Sequence, residues 1–140
     1  MQRKLSLILL IIALLMPVMA SAQNMKLPHV RDARKSLRND KKGEVEAVIK
    51  KLAPADSIEK YYLNGMLEQY TFEKANVNLY LGNKVDTAKV FKGLYNMFVN
   101  YDKAYNKVYM NDALGRPIQL AMYQHQNNLR IGGNYFISHG

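Results

Sequence analysis

Apolar residues return at the spacing i, i+3, i+4, i+7 in three successive stretches of this chain. They are Val45, Val48, Ile49 and Leu52; Leu63, Met66, Leu67 and Tyr70; and Phe91, Leu94, Tyr95 and Phe98. Those positions share one face of an α-helix. A half-buried strand would need strict alternation, and no sustained period-two run with turn dipeptides occurs. The chain also has no cysteine, so no disulfide supports the fold, and stability must come from packing these apolar faces together.

The segments 27–42 and 43–52 read as a helical hairpin that turns at Asn39-Asp40 and closes at Pro54. Val30, Ala33 and Leu37 share the inner face of the first segment. A third helix is expected from Asp56, whose carboxylate can accept from exposed backbone amides, with Glu59 three residues on as in a capping box. It runs to about Leu81, where Gly82-Asn83 suits a left-handed C-terminus. Gly65 inside it is either a propensity cost or the mark of a neighbouring helix coming close. A fourth helix is capped by Asp86 and ends near Lys107. Met110 to Pro117, with Asn111-Asp112, Gly115 and Pro117, reads as a loop. A fifth helix then covers Ile118 to about Gln126. Such helices, joined by short connections, bury their faces on sequential neighbours, as in a bundle or an α-solenoid.

Residues 1–22 carry the marks of a cleavable signal peptide. Arg3 and Lys4 give a positive start, Leu5 to Met19 is almost wholly apolar, and Ala20-Ser21-Ala22 supplies small residues before a cut ahead of Gln23. A membrane anchor is the alternative, but a spanning helix needs roughly 20 apolar residues, and Pro17 interrupts the end of this run. Export to the periplasm or the outer membrane is therefore expected, with residues 23–140 as one domain. Of the 20 basic residues two belong to the leader, and 11 acidic ones oppose the remainder. The glutamates all lie between Glu44 and Glu73, and beyond them only Asp86, Asp102 and Asp112 are acidic. Such an excess favours anionic partners. Outside the cytoplasm these are lipid headgroups, polysaccharide or acidic proteins rather than nucleic acid.

The C-terminal residues carry a family resemblance. Leu129, Gly132, Gly133, Phe136 and Gly140 are similar to the first half of a tetratricopeptide repeat: a large apolar residue, a small pair, an aromatic and a turn glycine. Gly132 departs from that pattern, which usually has leucine there. The chain after its leader also resembles an exported repeat family of Gram-negative gut bacteria. Leu37-Arg38-Asn39-Asp40-Lys41-Lys42, Asp86-Thr87-Ala88 with Phe91, and Asn128-Leu129 with Gly132-Gly133 carry that resemblance. It implies an all-α fold of helical hairpins packed as a short right-handed α-solenoid, and an envelope location. It also implies a repeat that begins near 128 and is cut within itself, the small pair awaiting a second helix; an ordinary tail is the alternative.

No catalytic constellation stands out. His125 and His139 have no second histidine or carboxylate at i+3 or i+4, and His29 has only Asp32 at i+3, so no set of helical metal ligands is assembled. No G-x-S-x-G turn or phosphate-cradling glycine loop occurs. Two weaker features remain. Arg31, Arg34, Lys35 and Arg38 fall at i, i+3, i+4, i+7 and could form an anion-binding helix face, or a plainly solvated one. The ten tyrosines suit half-buried layers first and a peptide- or glycan-binding surface second. The expectation is a non-enzymatic scaffold without cofactor that binds an envelope protein or peptide. The alternative is binding of envelope lipid or glycan through the basic face.

Overall fold

A computed structural model describes residues 25–54 and 57–140. The expected signal peptide, residues 1–22, and the expected capping residue Asp56 lie outside the described residues. The described chain is all-helical: α1 (Pro28–Arg38), α2 (Lys42–Lys51), α3 (Ile58–Tyr80), α4 (Thr87–Val108) and α5 (Asp112–His139). Each helix packs on the next in sequence, and α1 also packs on α3.

Local chemistry sets most of the boundaries. Pro28 opens α1, where its missing N–H costs nothing. Asp40 follows α1 at φ 58°, in the left-handed region that Asp tolerates better than most residues. Around it Lys41 N–H bonds to Ser36 O at 2.9 Å and Asp40 N–H to Leu37 O at 3.1 Å. This is a Schellman turn with aspartate in the usual glycine place. Gly82 at φ 73° ends α3 by the same pair of bonds, Asn83 N–H to Asn78 O and Gly82 N–H to Leu79 O. Ser57 caps α3, its Oγ accepting from Lys60 N–H at 3.1 Å, and Asp86 caps α4 by accepting from Lys89 N–H at 3.1 Å.

The core is continuous. Val30 and Ala33 of α1, Val45 of α2, Tyr62, Leu63, Met66 and Phe72 of α3, and Ile118 and Ala121 of α5 close around a stripe of α4. That stripe is Leu94, Met97, Tyr101, Ala104 and Val108. It is rotated from the one expected: Leu94 is buried, Phe91 and Phe98 only partly so, and Tyr95 is 59% exposed. In α2 the deepest residue is Val45, while Val48, Ile49 and Leu52 pack at the core's margin.

The segment Met110 to Pro117 is not a loop. The chain turns within Tyr109-Met110-Asn111, Asn111 Oδ1 accepts from Leu114 N–H at 3.2 Å, and α5 begins at Asp112. Gly115 is needed because α5 leaves so close to the end of α4: a Cβ there would lie 2.9 Å from the carbonyl oxygen of Val108. Pro117 sits inside α5, where it has no N–H to offer the carbonyl four residues earlier. The fifth helix therefore starts six residues before its expected beginning and continues past Gln126 and Asn128, without a turn, to His139.

Candidate functional site

Three concave surfaces lie around the core among the described residues; one, of about 450 Å3, is formed by α3, the segment before α4 and the start of α4, and the other two involve α5. The first of these two lies between the start of α4 and the C-terminal half of α5. Phe91, Leu94, Tyr95, Leu129, Gly132, Gly133 and Phe136, with Lys92, line a groove of about 460 Å3 that is almost wholly apolar. Four of the five repeat-like residues therefore meet in one place. The fifth, Gly140, lies beyond α5, its N–H bonded to Phe136 O at 2.9 Å.

The glycine pair divides its work. Gly132 faces α4, where a Cβ would stand 2.7 Å from Cδ1 of Phe91, so its partner is the preceding helix rather than one still to come. Gly133 faces the groove and a Cβ there would meet nothing within 4 Å. Of its lining Tyr95 and Phe136 are exposed, and so is Ile137 next to Phe136, at 85%. Tyr135 backs it, with its ring 5.7 Å from that of Phe91 and stacked at 4.3 Å on His139.

The second surface is a cleft of about 410 Å3 between α1, α3 and the N-terminal half of α5. Its floor is one face of α3: Tyr62, Met66, Gln69, Tyr70 and Glu73, with Tyr101 of α4 beneath. Arg34 and Arg38 stand on the α1 side, and Pro117, Leu120 and Ala121 on the α5 side. Arg34 Nη2 donates to Tyr62 Oη at 2.9 Å, and Tyr62 in turn donates to Leu114 O at 2.6 Å, joining three helices. Tyr101 donates to Gln69 Oε1 at 2.6 Å, and Gln69 Nε2 donates to Glu73 Oε1 at 2.9 Å. Burial pushes the hydroxyl pKa of both Tyr62 and Tyr101 up, and the guanidinium of Arg34 partly offsets this at Tyr62.

The expected basic face is thus split. Arg34 and Arg38 line the cleft, whereas Arg31 and Lys35 are exposed and lie outside the cleft. Two histidines have long-range carboxylate partners that sequence spacing could not show. His29 Nδ1 lies 3.0 Å from Glu59 Oε1 across α1 and α3, and His125 Nε2 lies 2.9 Å from Glu73 Oε1 across α5 and α3. The ring of His125 also meets Phe72 edge-on at 5.4 Å. Among the described residues no three His, Asp or Glu side chains gather as a metal site. No helix among them is long and apolar enough to cross a membrane. The tyrosines distribute by depth: Tyr62 and Tyr101 are buried, Tyr61, Tyr70, Tyr105 and Tyr135 half-buried, and Tyr80, Tyr95, Tyr109 and Tyr123 exposed. No known protein family, curated protein or solved structure matches the chain.

Proposed function

We propose that the chain is an exported, non-catalytic helical scaffold of the periplasm or outer membrane, built as a short right-handed, tetratricopeptide-like solenoid. It works without a cofactor by docking a partner protein. The observation that carries this reading is the apolar groove between α4 and α5. Gly133 is a mid-helix glycine at which a Cβ would meet nothing among the described residues, although glycine costs a helix about 1 kcal/mol relative to alanine. A partner's amphipathic helix, laid across Gly133 between Tyr95 and Phe136, accounts for that open position and for the exposed apolar residues beside it. Sequential helix packing supports the solenoid, and Leu129 and Phe136 supply the large apolar contacts at the groove.

The runner-up, anionic lipid or glycan bound along Arg31, Arg34, Lys35 and Arg38, has less support because those four residues do not all line one surface. The test places a photo-crosslinking residue at Tyr95 or at the exposed Lys107 in protein expressed with its leader. A protein adduct at Tyr95, none at Lys107, loss of the adduct on Gly133→Leu, and a mature chain starting at Gln23 are the expected results. A Gly133→Leu variant that crosslinks as before removes the groove from the account. Met1 retained on the folded envelope protein removes export by cleavage.

A further inference from the structure

The cleft between α1, α3 and α5 has the size of an ordinary small-molecule site, for which volumes of roughly 300 to 1,000 Å3 are usual. Its walls differ in chemistry. The α1 wall carries two guanidinium groups, and among the described residues no carboxylate lies within ion-pair distance of either. Among the described residues Arg34 donates one side-chain hydrogen bond, to Tyr62, which leaves most of its fork for other acceptors, and Arg38 is exposed at the mouth. The facing α5 wall is apolar at Pro117, Leu120 and Ala121, with Leu120 54% exposed, and Gln124 is the one polar residue on it. The floor does not demand a ligand's polar groups, since the hydroxyls of Tyr62, Tyr70 and Tyr101 and the amide of Gln69 already have partners within the protein, and Met66 and Leu37 add apolar surface between the two walls. Glu73, the one carboxylate lining the cleft, is held at a distance of 2.9 Å from His125 of α5.

We infer that this cleft binds an amphipathic organic monoanion. The acidic head is held by the Arg34 and Arg38 guanidinium groups, and the apolar body lies along Met66 against Pro117 and Leu120. A planar fork recognises a carboxylate, sulfate or phosphate oxygen pair by two parallel hydrogen bonds, more strongly in a half-enclosed cleft than on an open surface. Glu73, the carboxylate in the lining, disfavours a second negative charge, which limits the ligand to one acidic head. This site shares no residue with the groove between α4 and α5, so it stands independently of the scaffold reading.

The test is calorimetric titration of the protein, as recovered after expression of the full chain, with decanoate, decyl sulfate, decanol and inorganic phosphate at 0.15 M salt, a value chosen so that exposed charges are largely screened over about 8 Å. Decanoate and decyl sulfate bind with single-site stoichiometry, and decanol and phosphate bind at least about tenfold more weakly, because each lacks one half of the recognition. Arg38→Glu lowers decanoate affinity by about tenfold or more, the loss of a charge-assisted bond. Leu120→Ser weakens decanoate on the opposite wall, and Gly133→Leu leaves it unchanged. Both Arg38 and Leu120 are exposed, so these variants keep the fold, and unchanged melting curves verify it. Equal binding of decanol and decanoate, phosphate as tight as decanoate, an Arg38→Glu variant that binds normally, or loss of binding on Gly133→Leu would each overturn the proposal. The first two outcomes would reduce the cleft to a general apolar or anion surface, and the last two would place the ligand elsewhere.

Discussion

The ring of Tyr101 occupies the space that a side chain at position 65 would need. A Cβ on Gly65 would lie within 2.6 Å of Tyr101 Cε1. The same ring meets Tyr62 edge-on at 6.1 Å, and its hydroxyl reaches back to Gln69. Tyr101 thus locks α4 to α3 through a glycine, a ring edge and a hydrogen bond. Gly65→Ala should therefore destabilise the protein by about 1 to 3 kcal/mol through overpacking, even though alanine favours a helix. Chemical denaturation checks this. A Gly65→Ala variant as stable as the parent would mean that α3 and α4 do not approach so closely.

The neighbouring glycines of α5 should respond with opposite signs. Gly133→Ala adds a methyl group to open space and should gain about 1 kcal/mol of helix propensity. Gly132→Ala drives its methyl group onto the ring of Phe91 and should lose about 1 to 3 kcal/mol. Thermal melts of the two variants side by side settle the orientation of α5. Equal shifts would show that the helix is turned differently on α4.

This pair also shows where legibility in the sequence ended. Periodicity placed helices at α1 to α4, and residues with local chemistry marked several of their ends, with a turn at Asn39-Asp40, Gly82 after α3 and Asp86 before α4, whereas the cap of α3 is Ser57, one residue after the expected Asp56. Gly65 is a close approach, as one of its two readings held. The start of α5 was misread because Gly115 and Pro117 are turn residues by propensity. Here Gly115 answers a contact with Val108, and the first turns of α5 tolerate Pro117. Which face of a helix is deepest also escaped. α3 has neighbours on two sides, so its buried residues cover a wide arc, and Val45 rather than Val48 or Ile49 became the anchor of α2. The candidate cleft was half visible. Arg34 and Arg38 could be read from their spacing, but their separation from Arg31 and Lys35 depends on where α3 and α5 lie.

Asp40 should give the fold an acid-sensitive fastening. Its Oδ1 accepts from the Lys74 ammonium at 2.5 Å and the Tyr70 hydroxyl at 2.8 Å, tying the α1–α2 turn to α3. Lys74 first and Tyr70 second hold its carboxyl below the usual aspartate value. A depressed folded pKa means that the contribution is fully present above the unfolded aspartate value, about 3.9, and is lost as pH falls through the folded value. Asp40→Asn keeps the left-handed preference but removes the charge. The variant should melt below the parent at pH 6, and the two should converge near pH 2. A gap that persists unchanged into acid would show that the Asp40 charge plays no part.

Tyr62 should matter through its hydroxyl as well as its ring. The ring is 1% exposed, and the hydroxyl accepts from Arg34 and donates to Leu114 O. Leu114 lies next to Ala113, whose carbonyl faces the proline-interrupted turn of α5, so the donation from Tyr62 steadies the stretch where α5 is weakest. Tyr62→Phe preserves packing but leaves Arg34 and Leu114 O short of a partner in a partly buried place. The cost should be about 1 to 3 kcal/mol. Hydrogen exchange distinguishes this from a general loss of stability, because amides from Ile118 to Ala121 should lose protection more than those of α4 between Met97 and Ala104. Equal loss in both segments would mean that the Arg34–Tyr62–Leu114 chain does not hold the start of α5 in place.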